Sequence, residues 1–208
     1  MKVISSIYHN DFDGTPSNPT QLFSASMVMG LFRPNRYAII EGALSVEHLL
    51  GKLISLYYFG KHHEKKEEFE SHIIRSSFVT YSNKMSLVIT IIKNEKLIDG
   101  ENSNEKERNK KILVYEKLIR NVMHWRNAFT HGNLSITVGD EIEITPENPN
   151  PPEPTVTLSY YQNGPEKKPL TDEWLTEIEI GIKEAVSNTQ ILYSLLETRH
   201  EQKEKVSL

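Results

Sequence analysis

The chain contains no cysteine. That excludes disulfides, thiolate zinc sites and a cysteine nucleophile, and it fits a reducing, cytoplasmic setting. A long apolar run is missing as well: the longest apolar-rich stretch, Met85 to Ile92, falls far below the roughly 20 residues that a membrane-spanning helix needs. The start of the chain shows no charged-then-apolar leader. No set of histidines and carboxylates has metal-ligand spacing, and the adjacent His62 and His63 would point in different directions on a helix. Neither membrane, metal nor cofactor is expected. Surplus positive charge is lacking too. A formal net charge of -4 over 208 residues does not suit non-specific coating of nucleic acid, which is mostly neutralisation of phosphate by lysine and arginine.

What is present is one stretch with the makings of a site. Over residues 110–132, Ile112, Tyr115, Ile119, Val122 and Met123 recur at helical spacing, so the run reads as one amphipathic helix with its apolar stripe on a core. Gly132 is its expected stop, through the left-handed conformation open to glycine. His131 then stands at a helix end, where a side chain reaches solvent and substrate. The helix is also locally basic. Between Glu105 and Arg126, seven lysines and arginines, among them Lys110, Lys117 and Arg120, outnumber three glutamates. These cations are candidates for contact with an RNA backbone.

In chain order, residues 1–33 read as an irregular segment, turn-rich from Asn10 to Thr20. Within it, Asp11-Phe12-Asp13-Gly14-Thr15 looks like the first motif of haloacid-dehalogenase-type phosphatases, which places a phosphatase among the alternatives. That chemistry needs its aspartates at the end of a buried apolar strand, and Ser5, Ser6, His9 and Asn10 interrupt the run before them. The remainder, 34–208, reads as one helical domain. Pro34 and Asn35 mark the start of a helix over 37–59. In it Glu47 falls on the packing face among Ile40, Leu44 and Ile54, and a carboxylate there needs a partner, for which Arg126 is the expectation. A short helix follows from about Lys61 to Ser76; residues 78–96 suit either a buried strand, from Leu87, Val88, Ile89, Ile91 and Ile92, or a helix capped by Thr80 or Ser82, with the helix taken as the expectation. After the motif the pattern switches to alternation. Leu134, Ile136 and Val138, a turn at Gly139-Asp140, then Ile142 and Ile144 predict a β-hairpin, and Val156 to Tyr161 adds a third strand, so a β insertion spans about 134–162. Thr171 and Asp172 can cap a last helix whose Leu175, Ile178, Ile182, Ala185, Thr189, Leu192 and Leu196 form a seam. Its tail from Arg199 should fray.

Arg126-Asn127, then histidine and glycine five and six residues after the arginine at the close of a long helix, resembles the signature of the HEPN superfamily of helical RNases and nucleotide-binding proteins. Thr130 stands where that family more often has alanine. Asn133 replaces a tyrosine that one toxin branch carries. The likeness extends loosely over residues 36–132. It implies a mainly α fold, a HEPN-like up-and-down helical bundle, here with a small β appendage after the motif helix and a long C-terminal helix. It further implies a metal-independent endoribonuclease with catalytic Arg126 and His131, of a kind that includes toxins and antiviral defence effectors, paired with a cognate antitoxin or a defence complex. A non-catalytic nucleotide- or protein-binding module of the same fold is the other reading.

The residue types suit RNA cleavage on their own chemistry. Cutting RNA without metal requires a base for the 2'-hydroxyl proton, an acid for the leaving oxygen and a cation for the phosphate. Imidazole titrates near neutrality, and a guanidinium holds two phosphate oxygens without losing its charge. Asn127, four residues before His131, lies on the same helical face and can orient the imidazole, with Thr130 and Glu47 in support. On an ideal helix, however, Arg126 and His131 differ by roughly 140° and about 7.5 Å of rise. A homodimer with the motif ends at its axis would bring an arginine to a histidine and supply the second histidine.

Overall fold

The computed structural model describes residues 19–76, 79–98, 104–137, 155–161 and 165–206. It is mostly helical, as expected, with α1 (Pro19–Phe59), α2 (Lys66–Phe69), α3 (Tyr81–Asn94), α4 (Glu105–His131) and α5 (Asp172–Val206). Strands β1 (Asn133–Thr137), β2 (Thr155–Tyr161) and β3 (Pro165–Pro169) form an antiparallel sheet in the order β1-β2-β3. Among the described residues no helix is long and apolar enough to cross a membrane.

The described residues fall into two compact units. One comprises α1 up to Ile40 together with His124–Ile178, and the other Glu41–Met123 together with Glu179 onwards.

The second unit is a helical bundle whose core comes from Ala43, Val46, Leu50 and Leu53 of α1, Val88 and Ile92 of α3, Ile112 and Ile119 of α4, and Ala185, Leu192 and Leu196 of α5. Polar ties cross-link these helices at full burial, where an unmade bond would cost about 1–3 kcal/mol. The Tyr115 hydroxyl lies 2.9 Å from Thr189 Oγ1, and Tyr81 donates to the Ile119 carbonyl at 3.2 Å. Helices α1 and α5 approach closely at Gly42, where a Cβ would stand 2.6 Å from Ile182 Cγ2. Only glycine admits that distance.

Capping follows the sequence closely. Thr80 accepts from the Asn83 amide at 3.3 Å and Thr171 from the Trp174 amide at 3.2 Å, each filling a donor that the first helical turn leaves open. Six of the seven seam residues expected in α5 are buried, Leu175 being half-buried. The expected short helix is α2, which widens into a π turn over Glu70–Ile74.

Three expectations need correction. First, the segment 1–33 is not irregular throughout: α1 begins at Pro19 and passes through Pro34. Proline suits a first helical position because its missing N–H would be unsatisfied there anyway. At Pro34 it removes one ladder bond, at about 3 kcal/mol, against which stands the burial of Ile39, Ala43 and Val46 beyond it. Second, the end of α5 is helical to Val206 and tied down: Arg199 donates to the Lys96 carbonyl at 3.1 Å, and Lys203 pairs with Glu95 at 3.0 Å. Third, a strand that the sequence did not predict, β3, follows β2. Pro-Glu-Lys-Lys-Pro carries no apolar alternation, but β3 is an edge strand, where prolines and lysines are tolerated. The expected Val156–Tyr161 strand is the central one, β2. It pairs with β1 from Thr137↔Thr155 to Asn133↔Ser159. Asp11 to Thr15, the turn at Gly139-Asp140 and the strand at Ile142 to Ile144 lie outside the described residues.

Candidate active site at the end of the motif helix

Helix α4 is primed at its start and anchored at its end. Asn104 Oδ1 accepts from the Lys106 amide at 3.1 Å, and Glu105 and Glu107 sit in the first turn, where the helix dipole favours negative charge. At the other end, in the first unit, Ala128 and Phe129 are buried, and Phe129 packs against Trp174 of α5 with ring centroids 5.7 Å apart. Lys168 of β3 lies 4.7 Å over the Trp174 ring. The last turn therefore rests on a rigid aromatic pair. His131, its final residue, is exposed, and Arg126 is half-buried.

Gly132 is needed for a different reason from the one the sequence suggests. Its φ is not positive; among the described glycines only Gly60, closing α1, has one, at 68°. The constraint is close approach. Gly132 N donates to the Ala128 carbonyl at 2.7 Å, and a Cβ would overlap that oxygen while standing 2.9 Å from Leu158 Cδ1 and 3.1 Å from the Ser159 carbonyl. The chain thus turns from α4 into β1 flush against β2. This clamps the backbone immediately after His131.

Arg36 of α1 completes the clamp. Its Nη2 donates to the Thr130 carbonyl at 3.3 Å. The last carbonyls of a helix have no intrahelical donor, so the guanidinium fills a bond that the helix itself cannot make. It also fixes the peptide unit joining Thr130 to His131. Sequence reasoning passed over Arg36. The one signal was its place directly after Pro34-Asn35, two residues that drew the eye to a helix start instead.

The remaining expected site residues divide as follows. Arg126, Asn127, Thr130 and His131 all occupy the last two turns of α4, Asn127 exposed and Thr130 half-buried. Glu47 belongs to the second unit, where Lys84 Nζ stands 2.7 Å from its carboxylate; Lys84, almost fully buried, is a partner that the sequence reading did not consider. Lys110, Lys117 and Arg120 are exposed on the part of α4 in the second unit, Arg120 paired with Glu116 one turn away.

A cleft of about 880 Å³ also lies in the second unit, lined among others by Leu49, Lys52, Lys61, Glu70, Gln190 and Tyr193. Neither Arg126 nor His131 borders it. Its charges are of mixed sign, and Lys61 is paired with glutamates outside the lining. Hydrogen bonds that Lys61 donates to Glu197 and then Glu201 hold its ammonium above its usual range. Burial, then Glu197, raises the Tyr193 phenol, and burial with Lys52 depresses the nearby His48. Among the described residues no group of three or more histidines and carboxylates could hold a metal ion.

No family model, curated protein or solved structure matches the chain.

Proposed function

We propose that the chain is a metal-independent endoribonuclease of the HEPN kind, with its site at the end of α4. The observation that carries this reading is the placing of an exposed histidine on a clamped helix end, with Arg126 half-buried in the same two turns. Catalytic groups must be held firmly to be effective, and loose helix ends are poor supports. Here Arg36 on the Thr130 carbonyl and Gly132 against β2 provide the support.

In the proposed reaction an imidazole takes the proton of a ribose 2'-hydroxyl, and the 2'-oxygen attacks the adjacent phosphorus. The 5'-oxygen leaves and receives a proton from a second acid. The products are a 2',3'-cyclic phosphate and a 5'-hydroxyl end. Arg126 holds the non-bridging oxygens as their charge grows. One histidine cannot be base and acid in the same step. A homodimer that joins two α4 ends supplies the second, and it also answers the roughly 140° between Arg126 and His131 on one helix.

The test is cleavage of an end-labelled RNA in EDTA. Wild-type protein should cut, and His131→Ala and Arg126→Ala should each lose at least about a hundredfold in rate with unchanged helix content. Full activity of His131→Ala would end this reading.

A further inference from the structure

Among the helix faces that expose large apolar side chains, two are flanked by charges of a single sign. On α4, Leu113 is 63% and Val114 60% exposed, and Lys110 and Lys117 flank them. On α5, Ile180 is 59% exposed, and Glu177 and Glu184 flank it. Lys110, Leu113 and Lys117 are spaced by three and then four residues, and so are Glu177, Ile180 and Glu184. Three residues and four residues alternate along one side of a helix, so each triplet forms a single strip about two turns long.

Of the four strip charges, Lys110 has Glu107 three residues before it, and the other three find no opposite charge at helical spacing on their own helices. Three and four residues from Lys117 stand Leu113, Val114, Arg120 and Asn121, with no carboxylate among them. Around Glu184 the same positions hold Ile180, Gly181, Ser187 and Asn188, and around Glu177 they hold Glu173, Trp174, Ile180 and Gly181, with no cation. On the same two helices Arg120 pairs with Glu116 and Lys183 with Glu179, each one turn away.

We propose that the α4 strip of one copy of this chain docks on the α5 strip of another, Leu113 and Val114 against Ile180 and the lysines against Glu177 and Glu184. The proposal does not depend on the nuclease reading. Like cannot pair with like: α4 on α4 would oppose Lys110 and Lys117 to themselves, and α5 on α5 would oppose the glutamates, in each case burying uncompensated charge. The complementary contact is head-to-tail, so it builds a ring or a chain of copies rather than an isolated pair. The lysines were candidates for RNA backbone contact from the sequence. Phosphate binding explains the cations but gives no role to two large aliphatic side chains between them, and neither side chain offers a ring for base stacking. A contact of two turns is small, so association is weak and depends on concentration.

Sedimentation velocity of the full chain from about 5 to about 500 µM tests this, with circular dichroism as the check on folding. Wild-type protein should grow in mass with concentration beyond any dimer present at the lowest point. Lys117→Glu alone and Glu184→Lys alone, both at exposed positions, should each weaken that growth at least about tenfold, because each sets like charges against each other. An equimolar mixture of the two variants should restore it, since one interface in the mixture is native and the other has its charges exchanged. A wild-type mass that stays constant overturns the proposal, as does a mixture no better than its components. If Lys117→Glu weakens binding of a polyuridylate while leaving self-association intact, the strip belongs to RNA and the proposal fails.

Discussion

Gly132→Ala should destabilise the protein by about 2–4 kcal/mol, and the figure can be built from the contacts. The added Cβ overlaps the Ala128 carbonyl oxygen and presses on Leu158 Cδ1 at 2.9 Å and the Ser159 carbonyl at 3.1 Å. Leu158 is fully buried, and two of the three contacts are backbone carbonyl oxygens, so most of the strain falls on backbone. Overpacking of this kind costs about 1–3 kcal/mol. Relieving it by moving the Ala128 carbonyl weakens the 2.7 Å bond from Gly132 N, worth about 1 kcal/mol more. At about 2–4 °C per kcal/mol for a chain of this size, calorimetry should show a melting temperature lower by roughly 4–16 °C. RNA cleavage should fall further than stability alone explains, because what moves is the backbone beside His131. Gly60→Ala is the contrast: it places alanine at φ 68°, costs about 1 kcal/mol and should spare cleavage. A Gly132→Ala protein that melts within about 1 °C of wild type would refute the close-approach argument.

Tyr115 gives a pH test. Burial raises its phenol to about 12, partly offset by the Thr189 hydrogen bond, so the neutral form is the one that folds. The contribution is complete below the unfolded value near 10 and is lost as pH rises through about 12, by up to about 3 kcal/mol. Tyr115→Phe should therefore be less stable than wild type by about 1 kcal/mol at pH 8 yet more stable near pH 12 by denaturant titration, and an unchanged order would contradict this. Arg36→Ala should lower the cleavage rate and cost about 1–2 kcal/mol, and Arg36→Lys should recover more of the stability than of the rate; equal recovery would reduce Arg36 to a simple cap. Lys84→Met leaves the Glu47 carboxylate, itself 19% exposed, without its 2.7 Å partner and should cost about 1–3 kcal/mol in chemical denaturation, whereas Lys84→Met with Glu47→Gln should recover part of that loss.

Long periodic helices were legible because their apolar positions repeat over many turns. The seam of α5 and the core stripe of α4, with Ile112, Tyr115, Ile119 and Val122 all buried, could be read from spacing alone. Thr171 was legible as a cap because a hydroxyl before a helical run has one obvious use, whereas at 78–96 the β-branched run left strand and helix open and Thr80 shared the capping role with Ser82. What escaped depends on partners distant in sequence. Nothing around Pro34 signals that packing beyond it carries a helix through, and Pro-Glu-Lys-Lys-Pro becomes a strand only because β2 stands beside it with open backbone groups. At the site, Arg126 and His131 were visible as a motif, but Arg36 lies 94 residues from the carbonyl it serves. The glycine after His131 was read as the helix stop for the wrong reason, since local rules point to a left-handed turn conformation and the cause is close contact with Ala128, Leu158 and Ser159.

The central claim is that Arg126 and His131 cut RNA through the neighbouring 2'-hydroxyl with no metal ion. The direct measurement is incubation of purified wild-type protein in EDTA with an end-labelled RNA and with the same RNA carrying hydrogen in place of each 2'-hydroxyl, followed by identification of the new ends. The RNA should be cut to 2',3'-cyclic phosphate and 5'-hydroxyl ends, the deoxy strand should stay whole, and His131→Ala should leave both intact. Cleavage that appears only with added magnesium, or that yields 5'-phosphate ends, would contradict the account.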